Sequence, residues 1–336
     1  MALRCGKALV DSLGDVAICP ACEQDQFQQV GGVATTFPCD SRAEFPPHPA
    51  YEIRECLNCG LYFKSWRPAS DVLGSYYATL SYQPFNLSIE FPTDAQVRAI
   101  LRQLPDGSRI LDYGCSTGRL IGALDEHFDR CGIEVNQDAA NLASTKGIRI
   151  LAEDAVLSGA HGAFDAIVMT DVFEHLVEPT RLLRALTARL NDGGQLIIVT
   201  GLADAIPDRH LMSEHWYFRI YGHLQMLSLR HLEWLSSNLG LDLNRVSRIS
   251  HYARKHRRFA RQRAQLELYR TFRLKPQSQA AMILRRMPLL NRAATWTNMP
   301  ATDQFADHVV AVLTKDSRAG RAEEISNPNC KRQNAS

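Results

Sequence analysis

The feature that most constrains this chain is a series of short apolar runs closing on acids or small-residue turns and separated by helical stretches. From Arg109 to about Ser250 the candidate strands are Ile110–Leu111, Ile133–Val135, Ile148–Leu151, Ala166–Met169 and Leu196–Val199. Thr180–Leu190 sets Leu182, Leu183, Leu186 and Leu190 at helical spacing, and Asn191-Asp192-Gly193-Gly194 then supplies a helix stop and a turn. Strands alternating with amphipathic helices predict an α/β fold: a parallel sheet with right-handed crossovers and helices on both faces. Asp307–Thr314 (DHVVAVLT) reads as one further strand.

The strand ends carry chemistry. In Arg109–Ile121 (RILDYGCSTGRLI) a strand closes at Asp112, a turn follows through Gly114, Ser116 and Gly118, and a helix is expected from about Arg119. Glycines in such a turn let a ligand approach the backbone and let the helix pack near the strand. Glu134 closes the next strand 22 positions beyond Asp112, where a carboxylate can accept from both hydroxyls of a ribose. Asp154 is expected to close the third strand and Asp171 the fourth. A single acid at such a place is explained as a helix cap. A set of them along one sheet edge favours a ligand rich in hydroxyl and amino donors over a pyrophosphate.

With these motifs in view, the chain resembles the class I S-adenosylmethionine-dependent methyltransferases. ILDYGCSTG looks like their first motif, GIEVN like the ribose-binding strand end, and AEDA like the adenine-contacting one. FDAIVMTDVFEHLVEP and LNDGGQLIIVTG are similar to the fourth and fifth strands with their flanking turns. The resemblance implies a Rossmann-like seven-stranded sheet whose last strand is antiparallel. It also implies that Asp112 lies at the methionine end of S-adenosyl-L-methionine and Glu134 on its ribose. Asp154 and the Ala155 backbone N–H would meet the adenine, and Asp171 with Gly114 would complete the pocket. Ser116 stands where a third glycine is usual, which a negative φ would accommodate.

Nine cysteines bear on the amino-terminal part. Cys19-Pro-Ala-Cys22 and Cys56-Leu-Asn-Cys59-Gly60 form two CxxC pairs with 33 residues between them, a pattern suited to one tetrahedral structural Zn2+. Cys39 and His48 lie between as spare ligands, and Cys115 and Cys131 are expected in the core. YEIRECLNCGLYFKSWRPASDVLGSYYATLSY is similar to the leader of a methyltransferase subgroup that includes sugar C-methyltransferases and enzymes of polysaccharide and natural-product pathways. There a zinc-bearing domain packs beside the catalytic one, and by this resemblance Tyr62, Trp66, Arg67, Tyr76 and Tyr77 would face the acceptor.

The expected organisation is therefore a zinc-ribbon-like domain at 1–69, a helical connector at 70–108 (with Tyr76, Tyr77 and Tyr82) and a cofactor-binding core at 109–250. A basic helical insertion at 251–304 precedes the final strand at 305–316 and a flexible tail at 317–336. YGHLQMLSLRHLEWL resembles the family segment after the fifth strand, with Ser228 capping a helix. His223 matches the family histidine and is the leading candidate base, with His215 and His175 behind it. Sugar C-methyltransferases carry Tyr-His-Glu-His there, whereas this chain has Tyr221-Gly222-His223, so O- or N-methylation is expected over C-methylation.

Charge is uneven. Residues 251–297 hold twelve Lys/Arg and one acid, Glu267, or net +11 within a chain of net +2. Such a segment suits a phosphate-bearing acceptor, an anionic membrane surface or RNA, and Met282–Leu290 adds an apolar stretch that could lie on a membrane or gate the site. With 45% hydrophobic residues, no apolar run of spanning length, and Asp11 and Asp15 interrupting the stretch after Arg4 and Lys7, a soluble cytoplasmic protein touching the inner membrane surface is expected. The leading functional expectation is methyl transfer to a small-molecule or glycan acceptor. The alternatives are an RNA methyltransferase that clamps RNA with the zinc domain and basic insertion, and a non-catalytic S-adenosylmethionine- and zinc-binding partner subunit.

Overall fold

The computed structural model describes residues 14–34, 49–68, 70–79, 90–253, 255–296 and 298–316. Arg4, Lys7, Asp11, Cys39, His48, Tyr82 and the 317–336 tail lie outside the described residues. In chain order the strands are β1 (Gly14–Asp15), β2 (Phe27–Val33), β3 (Tyr51–Cys56), β4 (Tyr62–Lys64), β5 (Trp66–Arg67), β6 (Arg109–Tyr113) and β7 (Asp129–Ile133). Then come β8 (Arg149–Ile150), β9 (Phe164–Thr170), β10 (Leu190–Gly201), β11 (Gln225–Met226), β12 (Leu241–Ile249) and β13 (His308–Lys315). The helices are α1 (Ser70–Thr79), α2 (Pro92–Leu101), α3 (Gln137–Thr145), α4 (Glu153–Ser158), α5 (Pro179–Thr187), α6 (Leu229–Leu239), α7 (His256–Leu274), α8 (Gln279–Arg285) and α9 (Pro288–Asn291).

Seven strands form one sheet in the order β12-β13-β10-β9-β6-β7-β8. The pairs from β10 through β8 are parallel, while β13 runs antiparallel between β10 and β12. This is a mostly parallel, Rossmann-like α/β sheet. Its central strands are buried on both sides, so their side chains alternate between two cores. Leu196, Ile198, Ile167 and Met169 join Leu183, Leu186, Leu232 and Leu235 of α5 and α6. Ile197, Val199, Ala166 and Val168 face the other way, toward Val97, Ile100 and Leu101 of α2 and Ala143 of α3. Each fully buried Leu, Ile or Val contributes roughly 1.5–3 kcal/mol, whereas an exposed ion pair contributes about 0–1 kcal/mol. Strand-to-helix burial therefore sets the frame.

Sequence punctuation places the helices. Pro92 and Pro179 occupy first-turn positions of α2 and α5. Asn136 caps α3 by accepting from the Ala139 N–H, and Ser228 caps α6 as expected, accepting from the His231 N–H. Gly240 ends α6 in the left-handed region.

A four-stranded antiparallel sheet in the order β11-β4-β3-β2 holds the amino-terminal segment. Its edge strand β11 comes from residues 225–226, after the fifth core strand. The Ser228 hydroxyl also donates to the Gly60 carbonyl at 2.7 Å, so the cap of α6 is tied to the second cysteine pair. Between β12 and β13 lie α7, α8 and α9. Gln262, Leu266, Tyr269 and Phe272 make the buried stripe of α7, while Arg257, Arg261 and Arg263 are exposed. Met282, Ile283, Met287 and Leu289 are also exposed. Among the described residues no helix is long and apolar enough to cross a membrane.

Several local expectations are corrected. Leu190 opens β10 rather than ending a helix, and α5 stops at Thr187. No α-helix opens at Arg119; a single 3-10 turn at Ile121–Ala123 follows the glycine turn. Val135 lies beyond the end of β7 and is exposed. The third strand is only Arg149–Ile150, so Asp154 does not close it and sits instead in the first turn of α4.

Candidate active site and cysteine cluster

The carboxyl ends of β6 and β7 bring the first group together. Asp112 is paired in register with Gly132, and both the Gly114 and Cys115 N–H groups donate to the Ile133 carbonyl. Gly114 has φ +79° and Gly118 φ +71°, a region open to glycine. A Cβ on Gly114 would lie 2.6 Å from Val172 Cγ2, so close packing also requires glycine there. Ser116 has φ +49°, not the negative value its side chain favours, a cost of about 1–2 kcal/mol. The bend turns its N–H onto Glu134 Oε2 at 2.8 Å, while Glu134 Oε1 accepts from the Asn136 N–H at 2.7 Å. Each carboxylate oxygen keeps a second acceptor site.

Asp112 is 3% exposed. Burial, reinforced by the charge of Glu134, pushes its carboxyl up from 3.8 to about 7. Its charged form is thus disfavoured where no cation lies beside it. Asp154 is exposed, and its Oδ1 accepts from the Ala155 N–H at 2.8 Å, so that N–H is not free for an adenine as expected. Glu153 faces inward instead and accepts from the Tyr113 hydroxyl at 2.5 Å. Asp171 also departs from expectation. With φ +53° it points toward the first residues of β13 and the chain after β12, 3.7 Å from His308 Nε2 and 3.9 Å from His251 Nδ1.

A second group lies where β9 and β10 meet the segment after β10. Glu174, 2% exposed, accepts from Thr200 Oγ1 at 2.8 Å, and burial raises its carboxyl. His175 Nδ1 sits 2.6 Å from the Tyr77 hydroxyl and 3.0 Å from the Gly222 carbonyl. The Tyr77 hydroxyl and His175 ring occupy the space that a side chain at residue 222 would need. The His223 ring is 4.8 Å from that of His175 and 4.3 Å from that of Tyr217. Burial, then the charges of His175 and Lys64, hold His223 well below its ordinary range. Among the described residues its Nδ1 has no hydrogen-bond partner. Lys64, 1% exposed, donates to the Ile220 carbonyl at 2.8 Å, and burial lowers it to about 7.

His215 is not in this group. Its Nδ1 accepts from the Tyr217 N–H at 3.4 Å, its Nε2 meets Thr302 Oγ1 at 3.1 Å, and burial lowers it to about 4. Both nitrogens serve packing. The leader aromatics divide as well: Trp66 is buried against Tyr51 and Tyr221, and Arg67 donates to the Val177 carbonyl. Tyr77 reaches the histidine group, through His175.

The four cysteines converge as their spacing suggests. Cys19, Cys22, Cys56 and Cys59 place their sulfurs within 4.8 Å of one another, with Cys19–Cys59 at 3.6 Å and Cys22–Cys56 at 3.4 Å. Four thiols at tetrahedral spacing, three of them on buried residues, fit a structural Zn2+. Cys115 and Cys131 are buried in the sheet core.

Residues 91–246, just under half of the chain, match a family described as "Methyltransferase domain". A tRNA (carboxymethyluridine(34)-5-O)-methyltransferase from Arabidopsis thaliana is 30% identical over 134 residues, covering 39% of this chain and 33% of that protein. A ubiquinone biosynthesis O-methyltransferase from Xanthomonas axonopodis pv. citri is 29% identical over 109 residues, 29% of this chain and 44% of that protein. The chain thus spans less than half the length of these curated relatives. Among solved structures, a TehB-like SAM-dependent methyltransferase from Corynebacterium glutamicum aligns over 70% of this chain and 92% of its own, with 19% identity and a TM-score of 0.39. The match to the methyltransferase domain family covers both the strand tips with Asp112 and Glu134 and the neighbouring group with Glu174 and His175.

Proposed function

We propose that the protein transfers a methyl group from S-adenosylmethionine to an oxygen or nitrogen of a small-molecule or glycan acceptor. The observation that carries this reading is that Asp112, the Gly114–Gly118 turn and Glu134 meet at the carboxyl ends of β6 and β7, with Glu134 bonded to the Ser116 N–H and its charge acting on Asp112. Asp112 would pair with the cofactor's ammonium, Glu134 would accept from the ribose hydroxyls, and the left-handed turn would pass beneath the methionine end. When bound, the cofactor supplies a methyl already activated by its sulfonium. What remains for the chain is alignment, worth up to roughly 7–11 kcal/mol in favourable cases, and removal of one proton.

For that proton, the group formed by Glu174, His175, His223 and Tyr77 supports a base better than His215. His175, fixed by Tyr77, is the reachable imidazole, and His223 behind it is kept neutral by burial. A side chain at residue 222 is replaced by this tyrosine–histidine pair, which favours O- or N-transfer. The amino-terminal sheet, fastened by a Zn2+ on the four cysteines, would form one wall of the acceptor site through Lys64, β11 and the Ser228–Gly60 bond. The exposed arginines of α7 and the tRNA-acting relative support a second reading, an RNA acceptor.

Transfer of labelled methyl groups to fractionated cell metabolites and RNA tests both. Label entering a small molecule with weak salt dependence supports the first. Label entering RNA, collapsing steeply as salt rises, supports the second. No label in either fraction contradicts methyl transfer.

A further inference from the structure

The group Asp171, His251 and His308 shares no residue with the Asp112–Glu134 pair or with the Glu174, His175, His223 and Tyr77 group. Its members are far apart in sequence and meet because β13 starts where β9 and β12 end. His308 pairs in register with Gly201 of β10 and Ile249 of β12. His251 follows β12 by two residues, and Asp171 follows β9 by one. One ligand atom from each lies within 4.8 Å of the other two.

The hydrogen-bond directions are informative. Asp307 Oδ1 is 3.1 Å from His308 Nδ1, so the Nδ1–H donates to it and the Nε2 of a neutral ring presents a lone pair. That lone pair faces Asp171 Oδ1 at 3.7 Å, and His251 Nδ1 faces Asp171 Oδ2 at 3.9 Å. Thr93 Oγ1 lies 3.4 Å from His251 Nδ1. The two separations to Asp171 are too long for direct hydrogen bonds, and Asp171 Oδ1 is buried with no hydrogen-bond partner among the described residues. Two imidazole nitrogens and a carboxylate oxygen thus lie within 4.8 Å of one another, with the His251 and His308 rings stacked 4.7 Å apart between centroids. An ion about 2.0–2.2 Å from each would set its ligands about this far apart across the wider angles of a coordination shell. The backbone at Asp171 has φ +53°, in the left-handed region.

We propose that Asp171, His251 and His308 form a binding site for one first-row divalent metal ion where β13 begins, with Asp307 orienting His308. Two imidazoles and one carboxylate suit Mn2+, Fe2+, Co2+ or Zn2+ rather than Ca2+ or Mg2+. The Asp307 bond to the ring's other nitrogen is the outer-sphere contact that fixes such ligands. Three protein ligands leave coordination positions open. On the methyl-transfer reading above, those positions would take an oxygen of the acceptor, but the site itself does not depend on that reading.

The test is Mn2+ titration of the full chain, followed by electron paramagnetic resonance. Mn2+ is used because the thiolate cluster disfavours it. One saturable Mn2+ per chain is expected, abolished in His251→Ala and in His308→Ala and weakened about 10–100-fold in Asp307→Asn. Binding of S-adenosylhomocysteine by the same preparations reports folding and keeps this test separate from the cofactor assignment. His251 lies outside the strands, so His251→Ala decides the matter where His308→Ala does not fold. Absence of saturable Mn2+ binding, as expected if a proton alone fills the gap, would overturn the site. Binding unchanged in His251→Ala and His308→Ala would do the same.

Discussion

The sharpest prediction concerns Asp112→Asn. The Asp112 carboxyl is buried and pushed from 3.8 up to about 7. A displacement of that size corresponds to about 4 kcal/mol for ionising the group with no cation beside it. Its folded value lies above its unfolded one, so the native chain binds this proton more tightly. The associated stability is full below about pH 4 and is lost as pH rises toward 7. A cofactor ammonium beside Asp112 would reverse the preference, so between about pH 5 and 7 binding should release one proton. The logarithm of Kd should then fall about one unit per pH unit, a gain of about a hundredfold across that window, and level off above it. Asn carries no proton to release. Asp112→Asn should flatten this dependence, weaken binding by at least about 100-fold at about pH 7.5 and remove this contribution to the stability profile. Calorimetric titration with S-adenosylhomocysteine at several pH values, in buffers of different ionisation enthalpy, measures slope and proton count together. Equal slopes in wild type and variant, or less than about a threefold loss of affinity at that pH, would refute the role given to this carboxylate.

Three further outcomes follow from the same geometry. Glu134→Ala should keep the fold and weaken cofactor binding by roughly 10–100-fold, since charge-assisted hydrogen bonds contribute about 1.5–3 kcal/mol each; titration of the folded variant checks it. Gly114→Ala should destabilise the chain by about 1–3 kcal/mol through its φ of +79° and the contact with Val172, read as a lowered Tm with reduced cofactor affinity. Elemental analysis of freshly purified protein should find zinc bound by the four cysteines. Cys56→Ser should lose it together with the four-stranded sheet's resistance to proteolysis, and a zinc-free wild type would contradict the cysteine site.

The central strands were legible because residues buried on both sheet faces leave continuous apolar runs such as Leu196–Val199 and Ala166–Met169. The CxxC spacing was legible because tight turns aim paired sulfurs at one point. β12 was not: LDLNRVSRI at the sheet edge buries only Leu241 fully and lacks an apolar run. Asp154 was misplaced because a two-residue strand gives periodicity nothing to register. Residue identity alone does not reveal the positive φ of Ser116 or Asp171, which tertiary contacts impose. The pairing of His251 with His308 arises from an antiparallel strand inserted across 57 residues, from 251 to 308, and no local pattern encodes it.

The most direct measurement is a crystal structure of the chain with S-adenosylhomocysteine at saturation. The account predicts the ligand along the tips of β6 and β7, its amino group on the Asp112 carboxylate and its ribose hydroxyls on Glu134. A cleft left empty at saturation, or a ligand seated away from both carboxylates, would contradict it.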